Sequence, residues 1–157
     1  MLVCVEPNVD SKPQIKSSPK EYCTWQEVEM LVKKLADKVQ RSCKKYDVIL
    51  AITNGGIVPA RLMARELNIN DIQFIPIRNK KLFINEMAPL LKGRKYLIVD
   101  EIYDTGNTFS KVFDSFRGYN YDFAFLMSRY RNSNAKVVAK ILNHDKYVVF
   151  PWERKSY

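Results

Sequence analysis

Three acids and a hydroxyl-rich turn stand together in Tyr96-Leu97-Ile98-Val99-Asp100-Glu101-Ile102-Tyr103-Asp104-Thr105-Gly106-Asn107-Thr108. Their types and spacing suit two kinds of chemistry. Asp100 and Glu101 are adjacent where an apolar run stops, and carboxylates there can hold sugar hydroxyls or a hard metal ion such as Mg²⁺. The turn Thr105 to Thr108 precedes a helix-compatible stretch, Phe109 to Phe116. It can offer backbone N–H groups and hydroxyls to a phosphate at the positive end of that helix. Carboxylates beside a phosphate site point to a ligand that carries both sugar and phosphate.

Several elements must position these groups. Thr24-Trp25-Gln26-Glu27 reads as a capping box that opens a helix to about Ser42. Along it Trp25, Val28, Leu31, Leu35 and Val39 form an apolar stripe, with Trp25 expected in the core. Asp47 to Thr53 is a near-continuous apolar strand, as in a sheet covered on both faces. Asn54-Gly55-Gly56 breaks it, and Ile57 to Leu67 reads as a helix with Pro59 in its first turn. Ile72 to Ile77 is a further strand whose proline argues for a sheet edge or an irregularity. Residues 79–95 read as a polar, basic loop that is a candidate for movement. Tyr121 to Met127 is another strand, Ala135 to Leu142 a short strand or helix, and Lys146 to Phe150 a final strand. Alternating strands and helices give an α/β fold with a mainly parallel sheet flanked by helices. Such sheets bind ligands at the carboxyl ends of their strands, where both Asn54-Gly55-Gly56 and Asp100 to Thr108 fall.

The Tyr96–Thr108 segment resembles the phosphoribosyl pyrophosphate (PRPP) signature of type I phosphoribosyltransferases: four hydrophobic residues, two acids, two hydrophobics, then Asp-Thr-Gly-x-Thr. Every position matches, with Tyr103 the slightly polar member of its pair. Thr53 to Arg61 is similar to the pyrophosphate loop of purine phosphoribosyltransferases, with Asn54 where the family usually has Arg or Lys. Tyr147-Val148-Val149-Phe150-Pro151-Trp152-Glu153 looks like the ending of small xanthine/guanine and hypoxanthine enzymes. In those relatives an aromatic residue stacks on the purine, backbone groups beside it read the base edge, and a small C-terminal hood results. A lysine after the signature helix donates to the purine 6-oxo group there; this chain has Ser128-Arg129 instead. The likeness covers roughly residues 24–153.

The resemblance implies a 6-oxopurine phosphoribosyltransferase of purine salvage, joining guanine, xanthine or hypoxanthine to PRPP and releasing pyrophosphate. Asp104 is then the catalytic base. Asp100 and Glu101 hold the ribose hydroxyls, directly or through Mg²⁺, and Thr105, Gly106, Asn107 and Thr108 cradle the 5′-phosphate. Asn54, Gly55 and Gly56 contact pyrophosphate. Tyr147 stacks on the base, Val148 reads it through its backbone, and Arg129 is a candidate donor to it. Asp100, Glu101 and Glu153 are candidate metal residues. The basic loop around Lys80 and Lys81 is a candidate cover for the site. Homo-oligomers, dimers or tetramers, are common among such enzymes. Two other readings stay open: a PRPP- or nucleotide-sensing module without catalysis, and a phosphoribosyltransferase for adenine, orotate or uracil.

Length and composition bound the rest. With 157 residues, 46% hydrophobic and 27% charged, one domain is expected: an arm over 1–20 and a catalytic domain over 21–157. No apolar run is long enough to span a membrane, and the start of the chain lacks the pattern of a signal peptide, so cytoplasmic residence is expected. Cys4, Cys23 and Cys43 have neither metal-ligand nor redox spacing and are expected as free thiols. His144 is the only histidine and sits in a polar turn, so it is expected on the surface and the chemistry falls to carboxylates. The net charge of +9 suits anionic substrates. Its basic residues are scattered, so no dedicated nucleic-acid site is expected.

Overall fold

The computed structural model describes residues 18–131 and 136–154, so most of the expected arm lies outside the described residues. A short strand, β1 (Lys20–Tyr22), comes first. Thr24 then caps helix α1 (Trp25–Arg41): its hydroxyl accepts from Glu27 N at 3.2 Å, and the Glu27 carboxylate accepts from Thr24 N at 2.6 Å. That reciprocal pair satisfies two N–H groups the helix itself cannot. Val28, Leu31, Val32, Leu35, Ala36 and Val39 form its buried face. Trp25 does not join them: it is 53% exposed and meets Trp152 at 5.9 Å between ring centroids. Its place in the first turn sets it beside the C-terminal segment rather than over the sheet.

Strand β2 (Val48–Ile52) sends Ile49 and Ala51 into one hydrophobic cluster and Val48, Leu50 and Ile52 into another. Burial on both faces is why the run has no polar side. Helix α2 (Ile57–Leu67) ends on Asn68 in the left-handed conformation. Strand β3 (Asp71–Ile75) stops at Pro76, which has no N–H to extend a ladder. A tight hairpin follows, β4 (Ile77–Arg78) and β5 (Lys81–Leu82), turning through Asn79 and Lys80 at φ 50° and 60°. The expected loop at 79–95 therefore carries structure. Ile77, Leu82, Met87 and Leu90 pack on the core, and Arg78 pairs with Glu86 at 2.7 Å.

Strand β6 (Lys95–Tyr103) runs on through both signature acids instead of stopping at Val99. Helix α3 (Asn107–Ser115) leads to β7 (Asn120–Ser128), whose pairing with β6 continues to Tyr103↔Ser128. Backbone bonds to this long neighbour carry β6 past its apolar stretch. Residues 136–141 form strand β8 (Lys136–Ile141), resolving the choice left between strand and helix. The last strand, β9 (Tyr147–Val149), pairs in parallel with β1, apart from the main sheet. With the 3-10 turn Pro151–Glu153 it forms the small C-terminal hood.

The main sheet is parallel throughout, in the order β3-β2-β6-β7-β8. Residues of α1 and α2 share one cluster, and Val112 of α3 belongs to the other, so the helices cover opposite faces. From β2 the chain winds outward through α2 to β3; from β6 it winds the other way through α3 to β7. The carboxyl ends of β2 and β6 thus flank the point where the winding reverses, which opens a crevice between their loops. Among the described residues no helix is long and apolar enough to cross a membrane.

Candidate functional site

Gly55 and Gly56 show how closely the two loops meet. A methyl group on Gly55 would lie 2.5 Å from Glu101 Cδ, and one on Gly56 would lie 2.7 Å from Ile52 O and collide with Val99 O. Gly56 N already donates to Ile52 O at 2.8 Å, so this residue is fixed by backbone packing. The Thr53–Asn54 peptide is cis, and Thr53 Oγ1 accepts from Ile77 N at 3.1 Å. Asn54 and Gly55 keep N–H groups with no acceptor among the described residues.

At the end of β6 the acids are crowded and short of water. Asp100 keeps some surface but is surrounded by protein, and burial pushes its carboxyl up to about 8, although Glu101 N donates to it at 2.8 Å. Glu101 is pushed up to about 7, by burial first and then by the charge of Glu153; Trp152 Nε1, donating at 3.1 Å, opposes the shift. Both groups hold protons in the folded state at pH values where the unfolded chain has lost them. Stability of the ligand-free protein therefore falls as pH rises from about 5 toward 8 on their account. Asp100→Asn is expected to melt above wild type at pH 8, by about 2–4 °C for each kcal/mol relieved, and to converge with it at pH 5. Thermal unfolding across that range checks this, and equal offsets at both pH values would refute it.

The turn after β6 gathers unpaired backbone donors. Gly106, at φ 84°, turns the chain into α3, and Thr105 Oγ1 accepts from Asn107 N at 3.4 Å. The N–H groups of Thr105, Gly106, Thr108 and Phe109 have no acceptor among the described residues. Four orphan donors at a helix start form a ready place for phosphate oxygens. They border a cavity of about 230 Å³ lined by Asp100 through Phe109 and by Phe125.

The hood is tied to the third acid by one side chain. Arg129 donates from Nε to Asp104 Oδ1 at 2.8 Å, from Nη1 to His144 O at 2.9 Å and from Nη2 to Lys146 O at 2.9 Å. It is a strut from the third acid to the chain entering β9. Tyr147 follows at once, 52% exposed, with its hydroxyl held above the usual phenol range by the charge of Glu153, then by burial and Glu101. Tyr147 thus stands beside the Glu101–Glu153 pair. Val148 is buried, and Glu153 accepts from Phe150 N at 3.0 Å. Phe150 and Trp152 stack at 4.8 Å. His144 is no free surface group: its ring contacts Glu21 of β1 and accepts from Lys146 N at 3.2 Å. Cys23 and Cys43 are free, as expected, and Cys4 lies outside the described residues.

The structure thus brings Gly55 against Glu101, sets Asp100, Glu101 and the 104–108 turn on one cavity, and sets Tyr147 within reach of the charge of Glu153; Val148 is buried and lines a separate cavity with Cys23 and Leu31. Sequence reasoning missed the bond from Trp152 to Glu101 and the bracing by Arg129. The adjacency of Trp152 to Glu153 was a signal for the first; nothing local signals the second.

Among the described residues no group of three acids, histidines or cysteines forms a cage. Mg²⁺ needs no cage when one or two carboxylates and a ligand's phosphate oxygens complete its shell. The raised Asp100 and Glu101 fit that need, since a cation would relieve the burial and repulsion that keep them protonated.

Comparison with known proteins gives one consistent answer. The family model described as phosphoribosyl transferase domain matches residues 18–153. A xanthine-guanine phosphoribosyltransferase of Idiomarina loihiensis is 30% identical over 95 residues, covering 55% of this chain and 58% of that protein. The chain thus matches little more than half the length of that curated relative. Among solved structures, a purine phosphoribosyltransferase from Pyrococcus horikoshii superposes with TM-score 0.71 at 26% identity, covering 88% of this chain and 97% of that one. A xanthine-guanine-hypoxanthine phosphoribosyltransferase from Helicobacter pylori gives TM-score 0.71 at 17% identity, covering 85% and 93%.

Proposed function

Since the chain belongs to the phosphoribosyltransferase domain family, we propose that it joins a 6-oxopurine base to PRPP, releasing pyrophosphate and forming a nucleoside 5′-monophosphate. The observation that carries this reading is a turn of free backbone donors and a carboxylate pair lining one cavity, with Arg129 tying the third acid to the aromatic hood. A ligand with phosphate, ribose and base would span the three in that order.

The 104–108 turn takes the 5′-phosphate on its free N–H groups. Asp100 and Glu101 take the ribose hydroxyls, and Glu153, whose negative charge acts on Glu101, is the further carboxylate available to a cation. Bound Mg²⁺ would neutralise charge on the departing pyrophosphate. Asn54 and Gly55 offer backbone donors to that leaving group, without the side-chain charge that Arg or Lys would add. Bond breaking at C1 leaves positive charge on the ribose, and the nearby carboxylates favour it. Asp104 receives or holds the purine proton with the oxygen Arg129 leaves free. Tyr147 stacks on the base beside the Val148 backbone. The nest and the hood hold the two reactants in line, which converts an encounter into an oriented reaction.

The test is product formation from PRPP, Mg²⁺ and each of guanine, xanthine, hypoxanthine and adenine. Turnover of a 6-oxopurine is expected. Binding of PRPP without turnover of any base would replace this reading with a nucleotide-sensing module, and turnover of adenine alone would move the specificity.

A further inference from the structure

Tyr103 carries a hydroxyl at a place in the signature where an apolar residue would suffice. Its ring stands edge-on to Phe109 at 5.5 Å, Phe125 at 5.4 Å and Tyr130 at 6.0 Å. That packing aims the phenol at the phosphate turn: a methyl group on Gly106 would lie 2.7 Å from Tyr103 Oη. Tyr103 also lines the same cavity as the turn.

A second observation lies behind the ring. Lys136 Nζ sits 3.0 Å from the Tyr103 ring centroid, enclosed and with no hydrogen-bond partner among the described residues. An enclosed ammonium is costly unless something compensates its charge. The ring face does so in part. An anion at the hydroxyl end of the same ring would complete it.

We propose that Tyr103 is a phosphate-binding residue of this site, its hydroxyl donating to the 5′-phosphate held by the 105–108 amides, with Lys136 as the positioning residue behind its ring. This rests on the phosphate-nest reading above and deepens it. The hydroxyl adds a side-chain donor to a cradle otherwise made of backbone. The cation against the ring strengthens that donor and holds the tyrosine in place.

The experiment is isothermal titration of the full chain with ribose 5-phosphate at fixed ionic strength, comparing wild type, Y103F and K136M. Y103F keeps the ring and its packing, so a lost affinity reads the hydroxyl alone. Binding is expected to weaken about 10-fold in Y103F, as for a hydrogen bond to a charged group, and about 3-fold in K136M. The KM for PRPP rises with Y103F while the KM for the base stays put, a split that general loosening of the fold would not give. Wild-type affinity in Y103F, with wild type itself binding, overturns the tyrosine assignment alone. No binding by wild type overturns the phosphate-nest reading and this inference with it.

Discussion

Asp104→Asn is expected to lower kcat by about 10²–10⁴-fold, the range for loss of a positioned general acid or base. The substitution is informative because it changes so little else. Asparagine has the same shape, and its side-chain oxygen can still accept from Arg129 Nε, as Asp104 Oδ1 does at 2.8 Å. Asp104 is 55% exposed in its side chain, so removing its charge from this ion pair has little effect on stability. PRPP binding is carried by other residues and is expected to hold. Steady-state kinetics with saturating PRPP, beside a thermal melt, checks all three points. A near-normal kcat would remove Asp104 from the chemistry.

Arg129→Met is expected to lower kcat/KM for the base by about 10²–10³-fold, with a smaller change in the KM for PRPP. Three donors leave together, from Asp104, His144 O and Lys146 O. Each bond to a charged group is worth about 1.5–3 kcal/mol, so partial relaxation still leaves a large loss. The consequence is geometric. The chain entering β9 loses its tie to the end of β6, and Tyr147, one residue past Lys146, loses its anchor. Arg129→Lys recovers only part, because one ammonium cannot replace a planar fork that reaches three acceptors. A strut predicts the same fold-loss for guanine, xanthine and hypoxanthine. A residue that reads the base would instead lose most on the base whose exocyclic group it touches, so comparing the three bases separates the roles.

The signature segment was legible because its chemistry is local. Acids at the end of a buried run and a Gly-containing turn opening a helix need no distant partner to be recognised. The same holds for the Thr24–Glu27 box and for the doubly buried β2. What stayed hidden depends on contacts far apart in sequence. Gly55 and Gly56 are identical as letters, and only the backbones of β2 and β6 make Gly56 a packing necessity, while Gly55 keeps an N–H with no acceptor among the described residues. Arg129 draws on residues 104, 144 and 146, a set with no periodicity to reveal it. Trp25 fits a helical stripe, yet its stripe overshoots the sheet. The run at 146–150 reads correctly as a strand, but nothing in it says that its partner lies at the other end of the domain.

That pairing, Lys20 with Tyr147 through Tyr22 with Val149, gives the two halves of the site different birthdays. Chains emerge from the ribosome amino end first. The sheet with its phosphate turn is complete once β8 has appeared, at Ile141. The hood must wait for β9 and then recruit a strand made at the very start of the domain. The residues we assign to the sugar phosphate are thus synthesised before those we assign to the base, and β1 meets its pairing strand only when the last strand has been made.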